Sequence, residues 1–84
     1  MEDRRLGFIG IIIENRKISA EKVNSILSEF GEIIVGRMGI PYRSKNICVI
    51  SLIVEATTDE MGSLTGKLGL QKGVKVKSSL SKLQ

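Results

Sequence analysis

The apolar positions of this chain follow one pattern twice. Ile11-Ile12-Ile13-Glu14 and Leu52-Ile53-Val54-Glu55 are the same strand ending, and the same succession follows each. A short polar loop leads into an amphipathic segment, then into a glycine-marked turn and a strand of alternating apolar residues. In the first half the apolar positions are Val23, Ile26, Leu27 and Phe30, then Ile33 and Val35. In the second they are Met61, Leu64 and Leu68, then Val74 and Val76. Spacings of three and four residues belong to helices and alternation belongs to strands. The pattern predicts strands over 6–14, 32–40 and 47–55, with a fourth opened by Gly73, and helices over 20–30 and 58–70.

Local chemistry sets the expected boundaries. Ser19 is placed as the N-cap of the first helix, with Ile18 stapled onto Val23. Gly31 is expected in the left-handed conformation that closes it. Pro41 should end the second strand, because proline donates nothing to a ladder. A hairpin-like loop then fills 41–46. Thr57 with Glu60 three residues later reads as a capping box for the second helix. In the fourth strand, Lys75, Lys77, Ser79 and Ser81 alternate with Val74, Val76, Ser78 and Leu80, which suits a protected edge. The end of the chain, towards Gln84, is expected to fray.

The resulting order is β-α-β-β-α-β in one domain, residues 1–84. Right-handed crossovers place strands one and three at the centre. That is the ferredoxin-like α+β sandwich, an antiparallel sheet in order 4-1-3-2 with two helices on one face.

Both central strands are apolar on both faces. Leu6, Phe8 and Ile12 oppose Ile9, Ile11 and Ile13; Ile47, Val49 and Ile53 oppose Cys48, Ile50, Leu52 and Val54. Soluble monomers avoid leaving so large an apolar face open. The short polar tail is a poor cover for it. The expectation is a homo-oligomer, dimer or tetramer, joined through the helix-free face of the sheet. Which parity faces the helices is left open by the pattern. Gly62, Gly66 and Gly69 fall on one side of the second helix, where each glycine costs about 1 kcal/mol against alanine. They suit close packing on a partner or room for a ligand, and equally a weak helix fitted against its own sheet.

Composition removes several classes of chemistry. The chain has 84 residues, one cysteine and no histidine. No N/S-type metal site can be assembled from these, so no metal or cofactor is expected. Histidine acid–base catalysis is equally excluded. A single cysteine, Cys48, fits a reducing cytoplasm, where it serves as a small core residue. No apolar run is long enough to span a bilayer, and no secretory signal is read at the N-terminus. The formal charge is +4, from 13 basic and 9 acidic residues. The basic residues are spread over the N-terminus, both loops and the last strand, which argues against a nucleic-acid face. The central strands also lack the stacked aromatics of an RNA-recognition sheet.

The most unusual stretch is Gly36-Arg37-Met38-Gly39-Ile40-Pro41-Tyr42-Arg43. Its glycines bare the backbone, and Arg37 offers a fork that grips a carboxylate or phosphate. Gly36, Arg37, Met38, Gly39, Tyr42 and Arg43 are therefore the candidate residues for a small anionic effector or for self-association. A plain twisted strand edge is the third reading. Glu14 and Glu55 end the central strands at the water boundary rather than forming a two-carboxylate site. Ser51 has no base beside it and is not read as a nucleophile.

Taken with Gly10 to Glu14, Val23 to Leu27, Val49 to Val54, Thr65 to Gly69 and Gly73 to Lys77, the segment Ile34 to Tyr42 resembles the small family of iron-only hydrogenase system regulators. Gly-Arg-Met-Gly-Ile-Pro-Tyr is the most specific of these matches. The resemblance implies an ACT-like domain, similar to the effector domain of nickel-responsive repressors, and a regulatory role linked to hydrogenase maturation. Nickel sensing does not carry over, because the chain has no histidine. A ribbon-helix-helix domain has no counterpart either, since Met1 to Arg5 is too short. The turn Asn15-Arg16-Lys17-Ile18-Ser19 lacks the Gly/Pro-containing form that amino-acid-binding ACT domains use. The expected function is thus a non-enzymatic, oligomeric regulatory module with no catalytic residues. The alternatives are an acylphosphatase-like enzyme using Asn15-Arg16, which would need a glycine-rich cradle this chain lacks, or a nucleic-acid-binding regulator.

Overall fold

The computed structural model describes residues 3–82. The elements run β1 Arg5–Ile13, α1 Arg16–Glu29, β2 Ile34–Tyr42, β3 Ile47–Ala56, α2 Thr58–Gly69 and β4 Val74–Leu80, with 3₁₀ turns at Gly31–Ile33 and Arg43–Lys45. The four strands form one sheet in the order β2-β3-β1-β4. All pairings are antiparallel, as the crossovers require. The ferredoxin-like reading holds, and the expected fraying at 83–84 lies outside the described residues.

The core settles the parity of the central strands. Ile9, Ile11, Ile13, Ile50, Leu52 and Val54 are buried against Val23, Ile26 and Leu27 of α1 and Met61, Leu64 and Leu68 of α2. Each helix therefore lays its apolar stripe on the same face of the sheet. Burying a residue of this size is worth roughly 1.5–3 kcal/mol.

Several boundaries differ from expectation. Helix α1 starts a turn early, because Asn15 and not Ser19 caps it: Asn15 Oδ1 accepts from the Lys17 amide at 3.2 Å. Asn46 Nδ2 donates to the same oxygen and holds it in place. Ser19 is instead buried inside the helix, its hydroxyl donating to the Lys72 carbonyl at 2.5 Å. Ile18 is consequently exposed and staples nothing. Gly31 does not adopt a left-handed conformation; the chain continues into the 3₁₀ turn instead. Pro41 lies within β2 rather than after it, opposite Cys48. The reason is topological: β2 is an edge strand, where a missing donor costs no ladder bond.

Other local readings stand. Thr57 and Glu60 make the full capping box, with bonds of 3.0 and 2.9 Å. Gly73 opens β4 with φ +71°, and its carbonyl accepts from the Glu14 amide at 2.7 Å. A bulge between Ile34 and Gly36 throws Val35 into solvent. Gly62, Gly66 and Gly69 do not fit against the sheet. All three are exposed, and a Cβ on any of them would meet nothing within 4 Å.

Candidate functional site

The face of the sheet opposite the helices is uncovered, and its composition follows from strand register. Rows run across the strands as Ile40–Val49–Ile12–Lys75, Met38–Ser51–Gly10–Lys77 and Gly36–Ile53–Phe8–Ser79, from β2 through β3 and β1 to β4. Leu6, Phe8, Ile12, Met38, Ile40, Tyr42, Val49 and Ile53 are each between 41% and 62% exposed. Eight large apolar side chains thus share one open surface over β2, β3 and β1. The lysines and serine of β4 form its polar rim.

The middle row is low. Gly10 has no side chain, Ser51 has a small one, and both lie between the taller rows. Ser51 is exposed on this face.

Strand β2 divides the candidate residues between two faces. Met38 and Tyr42 stand on the open face, opposite Ser51 and Ile47. Arg37 pairs with Leu52 and so belongs to the helix side. There its Nη2 donates to Asn24 Oδ1 of α1 at 2.9 Å. Gly36, Arg37 and Met38 line a shallow, mostly apolar hollow of about 300 Å³ with Ser51 and Ile53. Gly39, Tyr42 and Arg43 do not line it; Arg43 begins the 3₁₀ turn beyond the strand. An anion reaching Arg37 competes with Asn24 for the guanidinium.

A larger hollow, about 590 Å³, lies elsewhere, at the C-terminal end of α1 between Ser28–Ile33 and Glu60. Its Glu29 is tied to Lys67 at 2.9 Å, and Lys67 also sits over the Phe30 ring. Glu14 and Glu55 end up at opposite ends of the sheet, because β1 and β3 are antiparallel. Glu14 pairs with Lys75 at 3.1 Å. In the turn after β1, Asn15 is spent on the helix cap, and the Arg16 amide donates to the Asn46 carbonyl at 3.3 Å. Among the described residues no group of His, Cys, Asp or Glu is arranged to hold a metal ion. No helix among them is long and apolar enough to cross a membrane.

One residue with a demanding position escaped the sequence reading. A Cβ on Gly7 would lie 2.5 Å from the Ser79 carbonyl oxygen and 2.8 Å from Leu80 Cδ2. It is the absence of a side chain there that lets β4 close against β1. A glycine inside an apolar strand is the available signal, though nothing local names the strand that approaches.

Comparison with known proteins agrees with this geometry. The chain is similar over 94% of its length to the uncharacterized protein TM1266 from Thermotoga maritima, with 37% identity, a TM-score of 0.90 and 99% of that chain covered. The ACT domain of the GTP pyrophosphokinase of Chlorobium tepidum shares the fold at TM-score 0.74 and 23% identity, covering 96% of this chain and 91% of that one. So does the C-terminal domain of the MgtC protein from Mycobacterium tuberculosis, at TM-score 0.68 and 18% identity, over 96% and 92% of the two chains. A search of curated proteins finds no match. A family profile described as "Iron-only hydrogenase system regulator, putative" matches residues 5–78, which include the whole of β2 and both helices. The fold is ACT-like, and the chain belongs to the TM1266-like family.

Proposed function

We propose that the protein is a non-enzymatic cytoplasmic regulatory module that works as a homo-oligomer, joined through the open face of its sheet. The single observation that carries the assembly is the group of eight exposed apolar side chains on that face. An isolated monomer rarely leaves an apolar patch beyond the order of a few hundred Å² in water. Two sheets stacked face to face remove it, at a spacing of roughly 10 Å. The patch is off-centre, over β2, β3 and β1, with Lys75, Lys77 and Ser79 along one side. Apolar centre and polar rim together are the anatomy of a protein interface. A second copy therefore docks over β2 and β3, with β4 at the margin.

The regulatory role is supported by family membership and by the ACT-like fold, and the tie to an iron-only hydrogenase system by the family's description. In this reading Met38 and Tyr42 are contact residues between copies, and Gly36 keeps β2 low enough for the approach, whereas Gly39, opposite buried Ile50, faces the helix side. The test is sedimentation velocity at micromolar concentration on the wild type and on Ile53→Lys. The wild type should sediment as a dimer or larger. Ile53→Lys should sediment as a monomer while keeping its far-UV circular dichroism. A wild type that stays monomeric overturns the proposal.

A further inference from the structure

Five of the thirteen basic residues are scattered in sequence but gathered in space. Register places the β1–α1 turn, the 3₁₀ turn after β2 and the α2–β4 turn at one end of the sheet, since Ile13 is opposite both Cys48 and Val74. Backbone and side-chain bonds tie these turns together: Arg16 to Asn46, Asn46 to Asn15, Ser19 to Lys72 and Glu14 to Gly73. Arg16, Lys17, Arg43, Lys45 and Lys72 all stand exposed there. The ion pairs among the described residues are Arg4–Glu60, Lys67–Glu29 and Lys75–Glu14, so none of the five has an acidic partner. Glu14 at this end is occupied by Lys75, and Glu21, a turn along α1, makes no ion pair with Lys17.

These five exceed the formal excess of +4 for the whole chain. With the Glu14–Lys75 pair set aside, the other seven basic residues face eight acidic ones, so the rest of the molecule is close to neutral. Two of the five make the placement costly. Arg16 and Lys17 open the first turn of α1, which contains no acid. Cations at the positive end of a helix dipole are unfavourable where acids would stabilise. Fold stability gains nothing from this arrangement, whereas attraction of a negatively charged partner does.

We infer that this end is a docking surface for an acidic segment of another protein. Its form decides between polyanions. The cations lie on turns and on the tip of one helix, with no helix or ribbon protruding to enter a duplex groove. An open hollow of about 430 Å³ beside Arg16 and Lys17 is lined also by Ala20 and Asn46, with no aromatic in it on which single-stranded bases could stack; the aromatic nearest in sequence, Tyr42 beside Arg43, belongs to the open sheet face. A flexible Glu/Asp-rich segment needs neither.

The test is fluorescence anisotropy with a labelled poly-glutamate peptide, run beside duplex and single-stranded oligonucleotides, over a salt series. The protein samples are wild type, the double variant Lys17→Glu/Lys45→Glu, and Lys82→Glu, which alters an exposed lysine at the far end. The peptide should bind the wild type, weaken as salt rises, and lose about tenfold in affinity with the double variant. Lys82→Glu should bind as the wild type does. Absence of peptide binding, equal loss in both variants, or tighter binding to either oligonucleotide overturns the inference. Sedimentation of each variant keeps this result separate from assembly through the sheet face.

Discussion

Gly7 and Gly66 are the same residue type under opposite constraints. At Gly7 a methyl group meets the β4 backbone, so Gly7→Ala forces strands apart. The expected cost is about 1–3 kcal/mol in chemical denaturation. Gly10→Ala, three residues along β1, has its nearest neighbour at 4.0 Å and should change little. At Gly66 the added methyl meets nothing within 4 Å. Gly66→Ala should therefore stabilise α2 by up to about 1 kcal/mol and raise the thermal midpoint. A fall would show that another chain packs on that face. The sequence marks all three as glycines in regular elements. It does not distinguish them, because the distinguishing atom is on β4 for one and absent for the others.

Helix caps show which local readings survive folding. The Thr57–Glu60 box closes within four residues, so no distant group can displace it. Thr57→Ala should cost about 1 kcal/mol, read from the denaturation midpoint. Asn15 and Ser19 are both competent caps, and sequence alone favoured the wrong one. The choice is made by Asn46, which braces Asn15, and by the Lys72 carbonyl, which engages Ser19. Neither is near in sequence. Pro41 differs: its tolerance depends on β2 being an edge, which the order 4-1-3-2 read from the sequence already implied.

Element order and periodicity made the topology legible, since two β-α-β halves with right-handed crossovers leave one arrangement. The inward parity was less plain, because both faces of β1 and β3 are apolar. Gly10, Ser51 and Glu55 all interrupt the outward parity, and they were the available clue. Leu52→Lys should consequently abolish folding, as a loss of the cooperative unfolding transition, while Ile53→Lys on the neighbouring position spares it and removes assembly. Charge was the least legible property: the basic residues look dispersed along the chain, and five of them meet only when three turns converge. The open face has a consequence for that convergence. If two copies stack through it and leave the turns clear, a dimer would present two basic ends on one body. A partner carrying two acidic segments would then be held bivalently, the second contact forming at an effective concentration set by the spacer between them. Assembly through an apolar surface would thereby set the strength of a charged one, and dilution below the dimer's dissociation constant would act as a release.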